Sequence, residues 1–364
     1  VLSRDSWNAR QTRWLRAYFR NEIMPVLSPL GLDPSHPFPK ILNKSLNIVV
    51  VLKGKDAFGR AGHMAIVRAP RSLPRIIHLP HRVSGGEHDF VLLSTILSAF
   101  ADEMFPGMEV KGAYQFRVTR NSELVVDEAE VENLALALRD ELVSRGYNPA
   151  VRLEIARDCP KPIVRTLLKN FELPENAVYL IDGSVNLNRV IQVYDLADKP
   201  ELKYPPFSPR ALRGIDSIFE TVDDGDVLMH HPFDAFTPVP ELVRQAATDP
   251  NVLAIKQTLY RTGKDSAIVD ALILAARNGK DVTVVVELRA RFDEDANLGV
   301  ADRLQEAGVQ VVYGVVGFKT HGKMLLIVRR EGRKLRRYVH LGTGNYHGGT
   351  ARAYTDLGLI TADP

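Results

Sequence analysis

The sequence predicts two domains, an α+β domain followed by an α/β domain. From Leu46 to about residue 190, short β-rich runs are followed by two amphipathic helical stretches. From about residue 226 onward, strand-like and helical runs alternate, which indicates a mostly parallel sheet covered by helices. Between these regions lies the proline-rich segment Lys203 to Pro209, through which neither helix nor strand continues. We therefore predict one domain over residues 1–205 and a second over residues 206–364.

The first domain is predicted to open with an amphipathic helix. Ser3 or Asp5 can cap this helix, and Pro25 ends it. Its apolar residues recur mostly three and four positions apart, as one face of a helix requires. The later elements are the predicted strands Asn47 to Leu52, His63 to Arg68, Arg75 to Leu79 and Tyr114 to Val118, and the predicted helices Val131 to Arg145 and Pro162 to Phe171.

The second domain alternates strand and helix and then forms a hairpin across a charged turn. Its predicted strands are Asp226 to Met229, Val252 to Thr258, Val282 to Glu287 and Val309 to Tyr313. Its predicted helices are Val239 to Ala247, Ala267 to Asn278 and Leu298 to Gly308. The hairpin joins Lys323 to Arg329 with Arg337 to Leu341.

Composition indicates a globular protein and names no partner. The 364 residues are 45% apolar and 25% charged, and 47 basic against 44 acidic side chains leave a formal charge of only +3. Affinity for polyanions must therefore come from local clusters of charge. Cys159 is the single cysteine, which excludes an intramolecular disulfide and a cysteine-based zinc site and favours a cytoplasmic location. The missing initiator methionine and the apolar run shortly before Pro364 lead us to expect a longer natural chain.

Three successive strand exits of the second domain carry basic residues. In an open α/β sheet, ligands bind beyond the carboxyl ends of the strands. The three exits lead into segments 259–266, 289–294 and 314–323. They deliver to one rim Arg261, Arg289, Arg291, Lys319, His321 and Lys323. The convergence of one histidine with several cations is what favours a phosphate-binding site here.

The histidine of this rim stands between two lysines. If the segment is extended, Lys319, His321 and Lys323 share one face of it. Nearby positive charge disfavours a further proton on an imidazole, and a neutral imidazole is a nucleophile toward phosphorus. The segment Gly342-Thr343-Gly344-Asn345 adds small residues and the Asn345 amide at another strand exit, as donors to phosphate oxygens.

Simpler interpretations apply to each motif taken alone. A single His-X-Lys is common by chance on a surface strand, and Arg289 or Arg291 can be a solvated charge. His230 and His231 could form a metal pair, but adjacent strand residues point to opposite faces, which disfavours shared ligation. The chain has no Gly-X4-Gly-Lys-Ser/Thr loop, which excludes P-loop ATP chemistry.

The ordered motifs carry a family resemblance. The segments His321-Gly322-Lys323 and Gly342 to Asn345 resemble parts of the phospholipase-D superfamily signature, although Val328 replaces the expected aspartate and the motif occurs once. The sequence more closely resembles polyphosphate kinases of the first type, which lack that aspartate. This resemblance runs in order through Phe19 to Pro29, His36 to Pro39, Asp226 to Pro232, Ala254 to Arg261, Val286 to Glu294, Lys319 to Lys323 and Tyr354 to Asp356.

The resemblance implies a head domain followed by the first of two phospholipase-D-like catalytic domains. The family's N-terminal helical domain and second catalytic domain are not in these 364 residues, so we expect little turnover from them alone. The implied activity is reversible transfer of the ATP γ-phosphate to inorganic polyphosphate through a phosphohistidine. By the same resemblance, His321 is the phosphorylated residue and Lys323 assists it.

The remaining implied roles concern the phosphates and the nucleotide. Arg261 and Arg291 are expected beside Mg²⁺, linked to it through the nucleotide phosphates, because a guanidinium has no lone pair for a metal. Tyr354 is expected to face the nucleotide, and Lys319 and Asn345 to bind phosphate. The family also implies a homodimer or higher homo-oligomer. The apolar run near the N-terminus, around Leu46 to Leu52, is far too short for a membrane helix, so we expect no transmembrane segment, with peripheral membrane association left open and no specific nucleic acid.

Two rival functions fit the same residues. A phospholipase-D-like phosphodiesterase or nuclease could complete its site by dimerisation and would hydrolyse a diester without nucleotide. A non-enzymatic module could hold a polyanion in a basic groove by counterion release, and its binding would depend steeply on salt.

Overall fold

The protein forms two compact units. The computed structural model describes residues 1–32, 37–55, 62–123, 134–212, 217–263, 265–288, 290, 293–314 and 318–363. The first unit comprises Val1–Glu123 and Ser144–Tyr204, and the second comprises Leu124–Val143 and Pro205–Pro364. The linear sequence pattern assigns the helix near residue 140 to the first domain, but its Ala135 and Leu138 pack into the core of the second unit. Within the described ranges, no helix has the length and apolar character needed to span a bilayer.

The first unit is built on a six-stranded sheet and a separate two-stranded one. Its strands are β1 (Leu30–Gly31), β2 (Asn47–Lys53), β3 (Met64–Arg68), β4 (Ile76–His78), β5 (Phe90–Leu92), β6 (Glu109–Arg120), β7 (Ala150–Ala156) and β8 (Val178–Ile181). The larger sheet has the order β1-β3-β2-β6-β7-β8, in which β7 and β8 pair in parallel and the other neighbours are antiparallel. The helices between residues 1 and 204 are α1 (Ala9–Tyr18), α2 (Leu93–Ala99), α3 (Leu134–Arg145), α4 (Lys161–Phe171) and α5 (Gln192–Leu196). Of these, α3 packs into the second unit. The predicted α+β architecture is confirmed.

Helix α1 begins later than the sequence pattern predicts. Asn8 is its cap: the Asn8 side chain accepts a hydrogen bond from the Gln11 backbone N–H, and the Gln11 side chain accepts one from Asn8. The prediction that Ser3 or Asp5 caps this helix is wrong, because residues 4–6 form a separate 3-10 turn. A reciprocal cap satisfies two backbone donors at once, which a lone serine upstream could not do.

The second unit alternates helix and strand before it closes with a meander. Its helices are α6 (Ile218–Asp224), α7 (Pro238–Thr248), α8 (Ala267–Arg277), α9 (Glu294–Glu306) and α10 (Gly348–Ala353). Its strands are β9 (Val227–His231), β10 (Val252–Leu259), β11 (Asp281–Val286), β12 (Gln310–Tyr313), β13 (Lys323–Glu331), β14 (Lys334–Gly342) and β15 (Asp356–Thr361). The predicted α/β class is confirmed, with each predicted strand and helix of this region present to within a few residues.

The sheet of the second unit is mixed. Its order is β12-β11-β10-β13-β14-β15-β9, and the pairs β12/β11 and β11/β10 are parallel. The four remaining pairs are antiparallel, so the expectation of a mostly parallel sheet holds only for β10 to β12. The reason is that the hairpin β13-β14 inserts beside β10, and β15 then pairs with β9 at the far edge.

The two faces of this sheet differ in burial. Side chains alternate across each strand, so Lys323, Leu325 and Ile327 of β13 face the helices and are buried, whereas Met324 is exposed on the opposite face. The buried face forms one apolar core with α7, α8 and α9. Any polar side chain on that face near the strand ends is therefore withdrawn from water while remaining next to the rim.

Candidate active site

His321 and Lys323 are in direct contact at the start of β13. The Lys323 Nζ lies 3.1 Å from both the Nδ1 and the Nε2 of His321. An ammonium has only donors, so it can bind a ring nitrogen only if that nitrogen carries a lone pair. In this contact the ammonium is the donor and a ring nitrogen is the acceptor. His321 itself is exposed, whereas Lys323 is only 5% exposed.

The buried position of Lys323 changes its electrostatics. Burial lowers the pKa of Lys323 below its usual value, and the carboxylate of Asp356 partly opposes this shift. A cation in a low-dielectric position interacts with an anion more strongly than a solvated one does. Lys323 therefore suits the stabilisation of negative charge that develops next to His321.

Tyr260, just beyond the end of β10, contacts three of the rim's side chains. Its ring centroid lies 5.1 Å from that of His321, with the two ring planes at 73°. The Lys323 Nζ is 5.2 Å from the Tyr260 centroid, and the Arg261 Cζ is 5.3 Å from it. Arg261 also forms an ion pair with Asp293, with 3.1 Å between Nε and Oδ2. The described site is therefore a cluster of two cations and a histidine around one aromatic ring.

Thr258 holds the backbone that carries His321. The ladder between β10 and β13 ends at the pair Gln257 and Leu325. Beyond it, the Thr258 Oγ1 donates to the Gly322 carbonyl at 2.6 Å and accepts from the Met324 N–H at 3.0 Å. The hydroxyl replaces the missing backbone pairing, so the turn into β13 stays fixed where ladder hydrogen bonds stop.

Glu287 holds the same segment from its other end. Its Oε2 accepts a hydrogen bond from the Thr320 backbone N–H at 2.7 Å, and its backbone carbonyl accepts one from Asn297 at 2.8 Å. Glu287 is buried at the exit of β11, next to α9. A charged acceptor on a backbone donor makes a stronger hydrogen bond than a neutral one. His321 is thus bracketed by fixed backbone at residues 320 and 322.

The glycine-rich segment after β14 is fixed by Asp356. The Thr343 Oγ1 donates to the Asp356 Oδ1 at 2.8 Å and accepts from the Leu357 N–H at 2.9 Å. A Cβ at Gly344 would stand 2.5 Å from the Asp356 Oδ2, so a larger residue there would displace the carboxylate. Asn345 contributes its backbone carbonyl to the His347 N–H.

The buried histidine His340 lies against two strand glycines, Gly342 of β14 and Gly358 of β15. The His340 Nδ1 is 2.9 Å from the Tyr346 hydroxyl oxygen, and a Cβ at Gly358 would stand 3.0 Å from the His340 Nε2. A Cβ at Gly342 would stand 3.1 Å from the His340 Cε1. Burial, and to a lesser degree the neighbouring His231, lowers the pKa of His340 to about 4. This imidazole is therefore neutral near pH 7.

The predicted site residues divide into three groups. His321, Lys323 and Arg261 are brought together around Tyr260. Tyr354 is 66% exposed at the end of α10, and Lys319 and the amide of Asn345 show no side-chain contact with this cluster among the described residues. Lys319 precedes β13 in an irregular segment, so its predicted alternation with His321 does not follow from strand geometry. Arg291, like Arg289, lies outside the described residues.

The paired histidines are separated as the alternation argument predicts. His231 is buried, and its Nδ1 is 2.8 Å from the Asp234 carbonyl oxygen, whereas His230 is exposed and its ring packs against Phe233. In the part of the chain that the structure describes, no group of three His, Cys, Asp or Glu side chains is arranged to hold a metal. Arg261 and Lys323 have no lone pair for a metal, and the carboxylate of Asp293 is paired with Arg261, so a metal would reach this cluster already bound to phosphates.

Four residues of this site were not found from the sequence. They are Tyr260, Thr258, Glu287 and His340. Tyr260 is the one with a signal in the sequence, because it immediately precedes Arg261 at a strand exit. The other three act through partners 6 to 66 positions away along the chain, which a linear pattern does not reveal.

Comparison with known proteins matches both units. The polyphosphate kinase middle domain matches residues 10–193, and the polyphosphate kinase C-terminal domain 1 matches residues 217–364. Proteins named polyphosphate kinase from Xylella fastidiosa (strain 9a5c) and Pseudomonas aeruginosa are 79% and 58% identical to this chain along 100% of its length. The chain spans about half the length of these curated relatives, 52% and 53%. A solved polyphosphate kinase from Porphyromonas gingivalis, 28% identical, superposes with a TM-score of 0.76 over 98% of this chain and 52% of that one.

Proposed function

Because the chain belongs to the polyphosphate kinase family, we propose that it supplies the phosphate-accepting histidine of an enzyme that moves the ATP γ-phosphate onto inorganic polyphosphate. The transfer is reversible and passes through a phosphohistidine at His321. The activity is proposed for the longest natural polypeptide that contains this sequence, since the relatives are about twice as long.

The observation that carries this proposal is the contact between His321 and Lys323. A ring nitrogen that accepts a hydrogen bond from an ammonium carries no proton, and its lone pair becomes available to phosphorus when the ammonium turns to the phosphoryl oxygens. The ring is exposed to solvent and so accessible to a substrate. Fixed backbone on both sides of the histidine limits the motion that would otherwise reduce the rate of an in-line attack.

The proposed chemistry has two displacements. In the first, the lone pair of a His321 ring nitrogen attacks the γ-phosphorus, a phosphorus–nitrogen bond forms, and the bond to the bridging oxygen breaks so that ADP leaves with the electron pair. In the second, a terminal oxygen of polyphosphate attacks the same phosphorus and the electron pair of the phosphorus–nitrogen bond returns to the ring. Covalent catalysis of this kind divides one transfer into two easier steps.

Cations around His321 stabilise the charge on the phosphoryl oxygens. Lys323 contacts the histidine directly, and Arg261 contacts the same Tyr260 ring that His321 and Lys323 contact. Arg291 is proposed from the family resemblance alone. Magnesium, bound to the nucleotide phosphates beside Arg261 and Arg291, would neutralise phosphate charge. Lys319 and Asn345 are proposed to bind phosphate, and Tyr354 to face the nucleotide.

The cellular location and the assembly of the enzyme are also proposed. A single buried cysteine is compatible with a reducing cytoplasm, where we propose that the protein works. A homodimer or higher homo-oligomer is proposed by analogy with the family.

The proposed activity is tested by following the label from [γ-³²P]ATP in the longest natural polypeptide. We expect the label to appear in an acid-insoluble polyphosphate chain. In the reverse direction, we expect labelled phosphate to move from polyphosphate to ADP and form labelled ATP. A His321→Ala variant should lose both reactions. Hydrolysis of a phosphodiester without nucleotide would favour the phosphodiesterase instead, and salt-sensitive polyphosphate binding without transfer would favour the non-enzymatic module.

A further inference from the structure

Tyr260 is the common neighbour of the three site residues that the structure brings together. Its ring lies 5.1 Å from the His321 ring, 5.2 Å from the Lys323 Nζ and 5.3 Å from the Arg261 Cζ. Tyr260 itself is half-buried and lies one residue beyond β10. An aromatic ring in contact with His321, Lys323 and Arg261 is in a position to set the relative geometry of these three groups.

The ring attracts both cations of the site. Arg261 and Lys323 are positively charged, and each also has a carboxylate near it, Asp293 and Asp356 respectively. The negative face of an aromatic ring attracts each cation, and both lie within the distance at which this attraction operates. An aliphatic side chain of similar size would fill the space without this attraction.

The ring also limits how His321 can turn. Aromatic rings in van der Waals contact prefer edge-to-face packing, and the interplanar angle of 73° is of that kind. The histidine is otherwise exposed, so this contact and the one with Lys323 are what restrain its ring in the described part of the chain. Rotation away from Tyr260 would take the ring nitrogens away from the Lys323 ammonium.

Arg261 has a strained backbone conformation next to Tyr260. Adjacent residues of an extended strand point to opposite faces, so Tyr260 and Arg261 would normally diverge. Arg261 has a φ of +56°, in the left-handed region that residues other than glycine rarely adopt. Such backbone strain persists where the surroundings enforce it, and it clusters at functional sites.

We infer that Tyr260 is a positioning residue, whose aromatic ring holds Arg261, Lys323 and His321 in the arrangement that phosphoryl transfer requires. This inference rests on the proposed function for its catalytic consequence. The ring is the active feature and the hydroxyl is dispensable, because all three contacts are made to the ring centroid.

The test compares Tyr260→Phe with Tyr260→Leu in the longest natural polypeptide. The first substitution keeps the ring and the second removes it. We expect the Leu variant to form phosphohistidine roughly 10- to 100-fold more slowly, and the Phe variant to stay within about 3-fold of the parent protein. Phe233→Leu is the matched control, because it removes the exposed aromatic ring that packs on His230 in the same unit, with centroids 5.0 Å apart.

A second readout does not depend on catalysis. In the resting protein with selectively labelled histidine and lysine, nuclear Overhauser contacts between the His321 ring and the Lys323 side chain should persist in the Phe variant and vanish in the Leu variant. Unchanged contacts and an unchanged labelling rate in the Leu variant would overturn the inference, as would an equal loss in both variants. If the parent protein forms no phosphohistidine while the Leu variant still loses the contacts, the proposed function fails and the positioning role stands.

Discussion

The stability of the second unit should fall as the pH falls below neutrality, and His340 should be the main cause. An unfolded histidine takes up a proton near pH 6.5. In the folded protein, burial and then the neighbouring His231 lower the pKa of His340 to about 4. Between these two values the unfolded chain binds a proton that the folded chain does not, so folding becomes less favourable as the pH falls.

The loss of unfolding free energy depends on how much of the pH range between the two pKa values is crossed. Each pH unit below the unfolded pKa costs about 1.4 kcal/mol of stability until the folded pKa is reached. Lowering the pH from 7.5 to 5.0 crosses about 1.5 units of this window, so the unfolding free energy should drop by roughly 2 kcal/mol because of His340 alone. Above pH 7 the contribution should be fully present and constant.

The assay must report on the second unit. Both tryptophans, Trp7 and Trp14, belong to the first unit, so tryptophan fluorescence is the wrong probe. Hydrogen exchange of the β14 amides at increasing urea concentration, corrected for the intrinsic exchange rate at each pH, measures the relevant free energy. The parent protein is compared with His340→Gln, which cannot titrate, and with His230→Gln as an exposed control on the same sheet.

The decisive quantity is the difference in unfolding free energy between pH 7.5 and pH 5.0. It should shrink by roughly 2 kcal/mol in His340→Gln, whatever that variant's stability at pH 7.5, and stay unchanged in His230→Gln. An undiminished pH dependence in His340→Gln would refute the reasoning, because the titration would then belong to other groups.

Two further predictions concern packing and the segment around His321. Gly358→Ala should lower the unfolding free energy of the second unit by about 1 to 3 kcal/mol in the same urea experiment, since its Cβ would stand 3.0 Å from the His340 Nε2. Gly299→Ala, inside α9 with nothing within 4 Å of its Cβ, should instead raise it by about 0.5 to 1 kcal/mol. Thr258→Val should slow phosphohistidine formation by about 10-fold because the Met324 N–H loses its acceptor, whereas Thr258→Ser should stay near the parent rate; equal rates in both would contradict the role given to the hydroxyl.

Most secondary structure of the second unit could be predicted from the sequence, because the local patterns are strong. The run Val252 to Thr258 has the apolar character of a buried strand and differs from the observed β10 by one residue. The pairing of β15 with β9 was not predictable in the same way, since it joins residues far apart in the chain. The alternation of strands and helices predicts parallel pairing, which is observed for β10, β11 and β12 but not for the strands from β13 onward.

Helices were predicted with the right faces and less reliable ends. The apolar spacing of Leu15, Phe19 and Ile23 identifies the buried face of the first helical region. The cap was misassigned because several polar residues near the N-terminus can each cap a helix, and only the reciprocal bond of Asn8 with Gln11 decides among them. The membership of α3 in the second unit depends on tertiary packing, for which its sequence pattern holds no signal.

The candidate site was predicted in part. The strand-exit rule identified His321, Lys323 and Arg261, which the structure brings around one ring. It could not identify Thr258 or Glu287, because their roles depend on which backbone atoms come within hydrogen-bond distance after folding.

The central claim is that a ring nitrogen of His321 takes the phosphate from ATP. The most direct measurement is to incubate the longest natural polypeptide with [γ-³²P]ATP, digest it under alkaline conditions and identify the labelled peptide by mass spectrometry. We expect an alkali-stable, acid-labile phosphate on the peptide that contains His321, and its loss in His321→Ala. A label on another residue, or an equal label in the alanine variant, would contradict it.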